Sequence, residues 1–270
     1  FAPLARLLVL RGARPVWMPT IVIEPMADYT EFDAAIRQLS TYRWLAFTSR
    51  NGIEAFFDRL AALGLDAGNF YLLGHSWGGI LAMEYALAHG ENLKGLIISN
   101  MMASIPAYNA YAQNVLMADM DPTVLAEIRA IEAAQDFTNP RYMELLVPHH
   151  YEHHILRMPA AQWPDPAQRA FAKLNYPIYL AMQGPSELGA SGLLLEWDRT
   201  ADLKRITAPT LVVGARYDTM DPGHMEWMAG ELPKGRYLYC PNGSHMAFYD
   251  DQVTYFDGIV HFLKDVDAGR

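Results

Sequence analysis

The pentapeptide Gly74-His75-Ser76-Trp77-Gly78 is the feature that most constrains this chain. It follows the apolar residues 70–73, which have the length and aromatic content of a β-strand, and it precedes an apolar helical run that ends near Gly90. A serine at a sharp strand-to-helix turn has an exposed hydroxyl, and flanking glycines avoid Cβ clashes in such a turn. The pattern therefore predicts that Ser76 is a nucleophile.

A serine nucleophile needs a base, and the base needs a group that orients it. For this motif the expected order along the chain is serine, acid, histidine. Asp218 follows the predicted strand at residues 210–215, and His245 follows the predicted strand at residues 236–240. Because the carboxyl ends of parallel strands meet at one edge of a sheet, we expect Ser76, Asp218 and His245 to converge there.

Each of these residues also has an ordinary structural interpretation. Asp218 is compatible with a helix N-cap or a surface turn, and His245 with a loop histidine of no special role. Asp221 is the alternative acid, although an aspartate directly before a proline is equally typical of a helix start. The chain order and the positions after successive strands favour Asp218 and His245 as the functional pair.

Four segments carry a more specific resemblance, at residues 69–79, 183–187, 217–222 and 239–246. In order and spacing they resemble the proline iminopeptidase (prolyl aminopeptidase) family, over about residues 68 to 270. The resemblance implies an α/β-hydrolase fold, with a mainly parallel sheet flanked by helices and a helical cap. It also implies serine catalysis without a metal or other cofactor, and release of N-terminal proline from peptides. Ser76, Asp218 and His245 match the family's nucleophile, orienting acid and base.

An aminopeptidase must also hold the free, usually cationic α-amino group of its substrate. A carboxylate in a partly dry pocket does so through a charge-assisted hydrogen bond. The family has such an acid on the cap, and the matching residue here is Glu187. Some relatives carry a second acid directly after the aspartate of the triad, where this chain has Thr219. Glu196 is an alternative second acid, although residues 196–198 are equally a candidate hinge between cap and core.

The resemblance also divides the chain into predicted domains. Residues 68–100 and 201–270 form the hydrolase core, and residues 101–200 form the helical cap. Within the cap, residues 126–133 have an amphipathic helical pattern. Asp121 and Pro122, just upstream, are typical of a helix start.

Four cap histidines allow a different hypothesis. His149, His150, His153 and His154 give two pairs at a spacing of four residues, which can bind zinc. A His-Glu-x-x-His arrangement is absent, however, and no motif for a third ligand follows. We therefore predict no metal site and expect these histidines to line a pocket or to lie on the surface.

The first 67 residues do not resemble the hydrolase family. Residues 14–19, 33–36 and 44–57 instead resemble uroporphyrinogen-III synthase, of which only a fragment would be present. The active cleft of that synthase needs two domains, so its chemistry is not expected here. The chain is predicted to be a hybrid, natural or engineered, that is joined near residues 63–66.

The hybrid can still complete a hydrolase-like sheet. We predict strands at residues 16–24 and 43–48 and helices at residues 31–39 and 51–63, and the two strands are expected beside residues 70–73. The sheet is therefore predicted to be one continuous, mainly parallel sheet.

The chemical consequence of the hybrid concerns the oxyanion hole. The hydrolase family carries a His-Gly-Gly-Pro-Gly loop after its third strand, and a backbone N–H of this loop binds the oxyanion. Residues 24–28 correspond to it here, where Pro25 has no N–H and Asp28 has a charge of the wrong sign. Only the N–H of Trp77 is expected to remain, and loss of one donor costs about 10²–10³ in rate.

The composition excludes several classes of function. The net charge of −9 argues against nucleic acid or an anionic membrane as a partner. A single cysteine, Cys240, excludes an intrachain disulfide framework and suits the cytoplasm. The sequence contains neither an apolar run of membrane-spanning length nor a recognisable signal peptide.

The leading hypothesis is a serine hydrolase of the prolyl aminopeptidase type, acting on a peptide or amino-acid amide with a free N-terminal proline. Two alternatives stay open. A carboxylesterase uses the same three residues, because the triad alone does not select an amide over an ester. A folded but catalytically impaired hybrid follows from the missing oxyanion loop. The sequence does not determine the oligomeric state.

Overall fold

A computed structural model describes residues 26–41, 50–65 and 68–270. The chain divides into two compact units, Phe1–Ala67 and Gly68–Arg270. In the first unit, the helices Thr30–Arg37 and Arg50–Ala62 correspond to the two predicted helices within two residues at each end. The predicted strands at residues 16–24 and 43–48 lie outside the described residues, so their place in the sheet stays a prediction.

A small apolar cluster forms within the first unit. Ile36 from its first helix is buried with Phe56 and Leu60 from its second helix. The same two helices are joined by an ion pair between the Asp33 carboxylate and the Arg59 guanidinium.

A parallel sheet forms the centre of the second unit. Its four described strands are β1 (Phe70–His75), β2 (Leu93–Ser99), β3 (Thr210–Ala215) and β4 (Gly235–Cys240), and they are hydrogen-bonded in the order β1-β2-β3-β4. All three strand pairs are parallel. β2 and β3 are almost wholly buried, because they are central and covered on both faces. The predicted α/β fold class is confirmed.

The register aligns the carboxyl ends of the four strands. His75 pairs with Ser99, Ser99 with Val213, and Ala215 with Cys240. The loops that follow the strands therefore leave the sheet along one edge, where ligand sites of parallel sheets form.

Helices cover both faces of this sheet. Since side chains alternate along a strand, Leu96 and Ile98 of β2 pack on one face and Ile97 on the other. The helices Trp77–His89 and Pro222–Glu231 cover the first face. The helix Gln252–Asp267 covers the second face, with the short helix Ala247–Asp250 before it.

A helical insertion connects β2 to β3. Its helices are Ile105–Tyr111, Pro122–Ala133, Pro140–Leu146, Glu152–His154, Asp165–Ala172 and Tyr176–Met182. The second of these contains the predicted helix at residues 126–133, and the Asp121 carboxylate caps it by accepting hydrogen bonds from the N–H groups of Thr123 and Val124. No helix within the described ranges combines the length and apolar character needed to cross a membrane.

One π-helical turn in the insertion has a clear cause. Residues Val147–Tyr151 continue the helix Pro140–Leu146 with a wider turn that contains Pro148. Proline has no N–H and its ring clashes with the carbonyl four residues earlier, so it kinks or breaks a regular helix, and a wider turn accommodates it. The wide turn brings His150 and Tyr151 into the interior of the insertion.

The two ends of the insertion are joined to each other. The N–H of Ile105 donates to the carbonyl of Trp197 at 2.9 Å, and the N–H of Arg199 donates to the carbonyl of Ala103 at 2.7 Å. The Glu84 carboxylate, on the helix after β1, accepts hydrogen bonds from Arg199 Nε and Trp197 Nε1, both at 2.7 Å. The segment around residues 196–199 thus connects the insertion to the sheet layer.

Candidate active site

Ser76 occupies the turn between β1 and the helix Trp77–His89 in a strained conformation. Its φ of 53° and ψ of −126° lie in a region that residues other than glycine rarely adopt. The turn is held by two hydrogen bonds: the Ser76 N–H donates to the Ser99 carbonyl at 2.9 Å, and the Gly79 N–H donates to the Ser76 carbonyl at 2.7 Å. The strand, turn and helix predicted around this serine are all present.

The glycines of the motif have different roles. A Cβ on Gly74 would lie 2.1 Å from the Gly78 carbonyl oxygen, and a Cβ on Gly79 would lie 2.6 Å from Met101 Cβ. A Cβ on Gly78 would meet no heavy atom within 4 Å. The expectation that both glycines flanking the serine prevent clashes is therefore wrong for Gly78, and the second close approach belongs to Gly79.

The structure brings Ser76, His245 and Asp218 together across three loops at the carboxyl edge of the sheet. Ser76 Oγ lies 2.8 Å from His245 Nε2, and His245 Nδ1 lies 2.8 Å from Asp218 Oδ1. The Asp218 side chain is fully buried and the His245 side chain is 6% exposed. In this arrangement one imidazole can accept the serine proton while its other nitrogen donates to the carboxylate.

Asp221, the alternative acid, has a different position. Its Oδ1 accepts a hydrogen bond from the Gly223 N–H at 2.8 Å, so it caps the helix Pro222–Glu231. Between the two aspartates, the buried Thr219 has its hydroxyl 3.3 Å from Asp218 Oδ1 and 3.4 Å from His245 Nδ1.

The electrostatics of His245 favour its protonated form. Burial, the largest effect, lowers the pKa of His245, but the charge of Asp218 and the hydrogen bond to Asp218 together outweigh it and raise the pKa above its ordinary value. The charge of Glu187 also raises the pKa of His245, so that carboxylate lies within electrostatic reach of the imidazole. His245 can therefore hold a proton that it takes from Ser76.

The insertion contacts both loops that carry the acid and the histidine. The N–H groups of His245 and Met246 donate to the carbonyls of His154 and Ile155, each at 2.9 Å. His154 Nδ1 lies 2.9 Å from the Tyr217 carbonyl, directly before Asp218. One short segment of the insertion thus holds both loops in place.

Glu187 lies in the insertion within a group of tyrosines. Its Oε1 accepts a hydrogen bond from Tyr179 Oη at 2.6 Å, whereas its Oε2 has no hydrogen-bond partner in the described part of the chain. Its backbone is held by Tyr108 Oη, which donates to the carbonyl at 2.8 Å, and by Tyr151 Oη, which accepts from the N–H at 3.3 Å. The main chain and one carboxylate oxygen are therefore held, and the second oxygen is available to a ligand.

The fully buried His150 completes this group. Its Nε2 lies 3.1 Å from the Glu187 carbonyl, and burial, together with the nearby His154, lowers the pKa of His150 to about 3. A neutral ring that donates from Nε2 leaves Nδ1 as an acceptor, and this Nδ1 has no partner among the described residues.

The remaining candidate residues are positioned as follows. Glu196 is exposed in the turn before Trp197, and no hydrogen bond or ion pair in the described residues connects it to Ser76, Asp218 or His245. Trp77 opens its helix, so its N–H has no partner within that helix. That N–H follows Ser76 directly, as an oxyanion donor must in this type of turn.

The cap histidines lie close together but differ in burial, with the ring centroids of His150 and His154 5.1 Å apart and those of His153 and His154 6.4 Å apart. His150 is buried, whereas His149 and His153 are exposed. In the ranges that the structure describes, no group of three or more His, Cys, Asp and Glu side chains is arranged to hold a metal ion.

Two functional neighbours were not predicted from the sequence. Asn100, directly after β2, donates from Nδ2 to Asp218 Oδ2 at 2.6 Å, and Tyr179 holds Glu187. A signal for Asn100 exists, because the polar pair Ser99-Asn100 follows the buried apolar residues 96–98 of β2, the strand beside β1. The sequence holds no comparable signal for Tyr179.

Comparison with known proteins identifies the family of this chain. Residues 50–252 match the family described as alpha/beta hydrolase fold. The chain is 53% identical over 218 residues to a proline iminopeptidase from Flavobacterium johnsoniae, an alignment that covers 79% of this chain and 73% of that protein. It is 54% identical over 222 residues to a proline iminopeptidase from Elizabethkingia meningoseptica, covering 80% and 74%. The chain belongs to the proline iminopeptidase family of α/β-hydrolases.

Solved structures extend the similarity to three dimensions. The crystal structure of VinJ superposes with a TM-score of 0.72 at 27% identity, covering 82% of this chain and 74% of that one. The crystal structure of a proline iminopeptidase from Mycobacterium smegmatis gives 0.68 at 27% identity, with 80% and 71% covered. The family and the hydrolase fold predicted from the four segments are therefore confirmed.

The amino-terminal segment matches a second family. Residues 2–71 match the family of uroporphyrinogen-III synthase HemD, and this range overlaps the hydrolase match at residues 50–71. The resemblance predicted for residues 1–67 is confirmed at the level of sequence.

Proposed function

We propose that this member of the proline iminopeptidase family is a serine aminopeptidase that releases N-terminal proline from peptides or amino-acid amides. Ser76 is the nucleophile, His245 the general base and Asp218 the group that orients the base. The observation that carries the proposal is the pair of 2.8 Å contacts from His245, one to Ser76 Oγ and one to the buried Asp218. The identity of over half to proline iminopeptidases supports the choice of substrate.

The proposed reaction is an acyl transfer in two stages. His245 Nε2 takes the proton of Ser76 as Oγ attacks the prolyl carbonyl carbon, and the protonated imidazole then donates that proton to the leaving amine. Water then attacks the resulting prolyl ester on Ser76 while His245 Nε2 takes a proton from the water, the Oγ–C bond breaks, the imidazole returns that proton to Ser76 Oγ, and proline leaves. Asp218 keeps the proton on Nδ1, so Nε2 is the nitrogen that faces the serine.

We propose the Trp77 N–H as the oxyanion donor of this reaction. The strained backbone of Ser76 supports this role, because it turns the chain so that the next N–H opens a helix beside the serine. The family's second donor comes from a glycine-rich loop that this sequence lacks. Reduced turnover is therefore part of the proposal.

We propose Glu187 as the acceptor for the substrate's α-amino group. Its Oε2 has no partner in the described residues, and the hydroxyls of Tyr108, Tyr151 and Tyr179 hold its main chain and its other carboxylate oxygen. A carboxylate in such a setting binds a secondary ammonium group through a charge-assisted hydrogen bond. Glu196 has less support for this role, because it is exposed and makes no hydrogen bond or ion pair with Ser76, Asp218 or His245 in the described residues. Its position fits better with the segment that connects the insertion to the core.

We infer a modular chain in which residues 1–67 are a segment of uroporphyrinogen-III synthase type and residues 101–200 are the cap of a hydrolase core. The division of the chain after Ala67 supports the first boundary. A cytoplasmic location and the absence of nucleic-acid or membrane partners stay predictions from composition.

The alternatives are separated by two assays. Titration with a fluorophosphonate probe reports whether Ser76 is activated, with Ser76→Ala as the control for the labelled residue. Hydrolysis of a prolyl-naphthylamide beside p-nitrophenyl acetate then reports the substrate class. Labelling with amide turnover supports the aminopeptidase, labelling with ester turnover alone supports a carboxylesterase, and slow labelling without turnover supports the impaired hybrid. Absence of labelling in folded protein would reject the proposed mechanism.

A further inference from the structure

Asn100 has an unusual backbone position directly beside the acid. It follows β2, is fully buried and has a φ of 54°. Asparagine adopts this left-handed conformation more readily than most residues. The N–H of Asn100 donates to the Val213 carbonyl at 2.9 Å, so β3 holds it in place.

The Asn100 side chain bridges the loops that carry the acid and the base. Its Nδ2 donates to Asp218 Oδ2 at 2.6 Å and to the carbonyl of Ser244, the residue before His245, at 3.3 Å. Asp218 uses its other oxygen for His245. One amide group therefore contacts the acid and the chain adjacent to the base.

A hydrogen-bonded chain determines which way this amide faces. Ser99 Oγ donates to Asn100 Oδ1 at 2.8 Å, because that oxygen can only accept. With its proton used, Ser99 Oγ accepts from Tyr255 Oη at 2.9 Å and from His75 Nδ1 at 3.2 Å. Each hydrogen bond in this chain is therefore donated in the direction of the Asp218 carboxylate, and each bond polarises the next in the same direction.

We propose that Asn100 is a positioning residue that sets the location and the basicity of Asp218, and that Ser99 and His75 set the orientation of its amide. This inference rests on the proposed roles of Asp218 and His245. A donor at Oδ2 disperses the negative charge of the carboxylate, which weakens its attraction for the imidazolium form of His245. Removal of the donor therefore stabilises the protonated histidine and raises its pKa.

His75 is suited to the start of this chain. Its ring centroid lies 5.0 Å from that of His245. Burial and the nearby His245 lower the pKa of His75 well below its ordinary value, so it stays neutral when His245 takes a proton.

Other titratable groups act on His245 and Asp218, and the variants used in the test leave these groups unchanged. Around His245 these are Asp218, Glu187 and His75. The charge of Asp218 also reaches His154, Tyr108, Tyr111, Tyr237 and Cys240.

The test is an NMR titration of His245 in the full chain with ¹³C-labelled histidine, assigned by comparison with His245→Asn. Asn100→Gly removes the amide and accepts the positive φ, so it is the variant that keeps the backbone unstrained. We expect the pKa of His245 to rise by about half a pH unit or more. The rate of fluorophosphonate labelling at neutral pH should fall on the order of tenfold. Ser99→Ala should raise the pKa in the same direction by a smaller amount, because the amide is then free to turn.

Thr210→Val is the matched control, since Thr210 is equally buried in the same sheet and, among the described residues, its hydroxyl bonds only to the Ala208 carbonyl. It should leave the His245 pKa unchanged. An unchanged His245 pKa in folded Asn100→Gly would overturn the inference, and so would an equal shift in Thr210→Val. The inference and the proposed function can fail separately. If the pKa of His245 rises in Asn100→Gly but Ser76 of the parent chain does not label, the inference is supported and the proposed function is rejected.

Discussion

Tyr179 Oη donates a 2.6 Å hydrogen bond to Oε1 of Glu187 and leaves Oε2 without a partner in the described residues. Burial and the charge of Glu187 raise the pKa of Tyr179 well above its ordinary value, so the phenol stays a donor at every working pH. This pair fixes the carboxylate while keeping one oxygen for a ligand. Under the role proposed for Glu187, this packing contact of the insertion orients the group that selects a cationic substrate.

The first prediction concerns this pair. Tyr179→Phe should raise KM for a prolyl-naphthylamide on the order of tenfold, because the carboxylate loses the donor that orients it. Glu187→Gln should lower kcat/KM for the amide much more than for an acetyl ester, since only the amide substrate carries a cation. Tyr176→Phe is the control, because Tyr176 donates instead to the Pro185 carbonyl. Equal losses on both substrates in Glu187→Gln would assign a structural role to Glu187.

The second prediction concerns pH. Because the pKa of His245 is raised and only the neutral imidazole acts as base, activity should be lost as pH falls through a value above the ordinary histidine pKa of about 6.5. The dependence of kcat/KM on pH for an acetyl ester measures this acidic limb, because an acetyl ester has no amine that titrates in the same range. A limb centred below 6.5 would contradict the assignment of His245 as the titrating base.

The third prediction separates the two aspartates. Asp218→Asn should lower kcat by about 10⁴, because the amide no longer holds the correct tautomer of His245. Asp221→Asn should leave kcat unchanged, since asparagine also caps a helix and, among the described residues, the Asp221 side chain accepts only from the Gly223 N–H. Measurement of kcat for both variants on one substrate checks the assignment. A larger loss of kcat in Asp221→Asn than in Asp218→Asn would make Asp221 the orienting acid instead.

The sequence predicted the parts of the site that follow from order along the chain. Ser76, Asp218 and His245 each follow a strand of a parallel sheet, so their meeting at one edge depends on topology alone. Asn100 and Tyr179 depend on more than topology. Asn100 reaches Asp218 through a left-handed φ, and Tyr179 meets Glu187 through packing between a helix and a loop of the insertion. Neither the left-handed backbone of Asn100 nor the packing of Tyr179 on Glu187 produces a periodic pattern in the sequence.

The wide turn at Pro148 shows the same limit. A proline in a helical pattern predicts an end or a kink, but not the π turn that continues the helix and buries His150. The spacing of four residues pairs the exposed His149 with the exposed His153, and His150 with His154, whose ring centroids lie 5.1 Å apart, but it does not indicate that His150 is buried. Local sequence thus predicted the elements, and tertiary packing decided the direction of the side chains.

The fourth prediction concerns the oxyanion hole. We expect hydrolysis of a prolyl-naphthylamide at least about a hundredfold below that of the Flavobacterium johnsoniae proline iminopeptidase, because the sequence lacks the glycine-rich loop that is expected to supply one oxyanion donor. Ser76 should still label slowly with a fluorophosphonate. Turnover equal to that of the relative, measured side by side and normalised to labelled serine, would mean that another group supplies the second donor.

The fifth prediction uses the two glycines beside Ser76 as a matched pair. Gly74→Ala puts a Cβ 2.1 Å from the Gly78 carbonyl oxygen and 2.7 Å from Ala82 Cβ, so β1 and the following helix must separate. We expect a loss of about 3 kcal/mol or more in the free energy of unfolding, and loss of Ser76 labelling, because the strained turn depends on that close approach.

Gly78→Ala is the control for this pair, since its Cβ enters open space and alanine favours a helix. It should raise the free energy of unfolding by about 0.5–1 kcal/mol and keep the labelling rate. Urea unfolding and fluorophosphonate labelling of the two variants measure both effects. If Gly74→Ala labelled like the parent chain, the close packing of strand against helix would not be what holds Ser76 in its strained conformation.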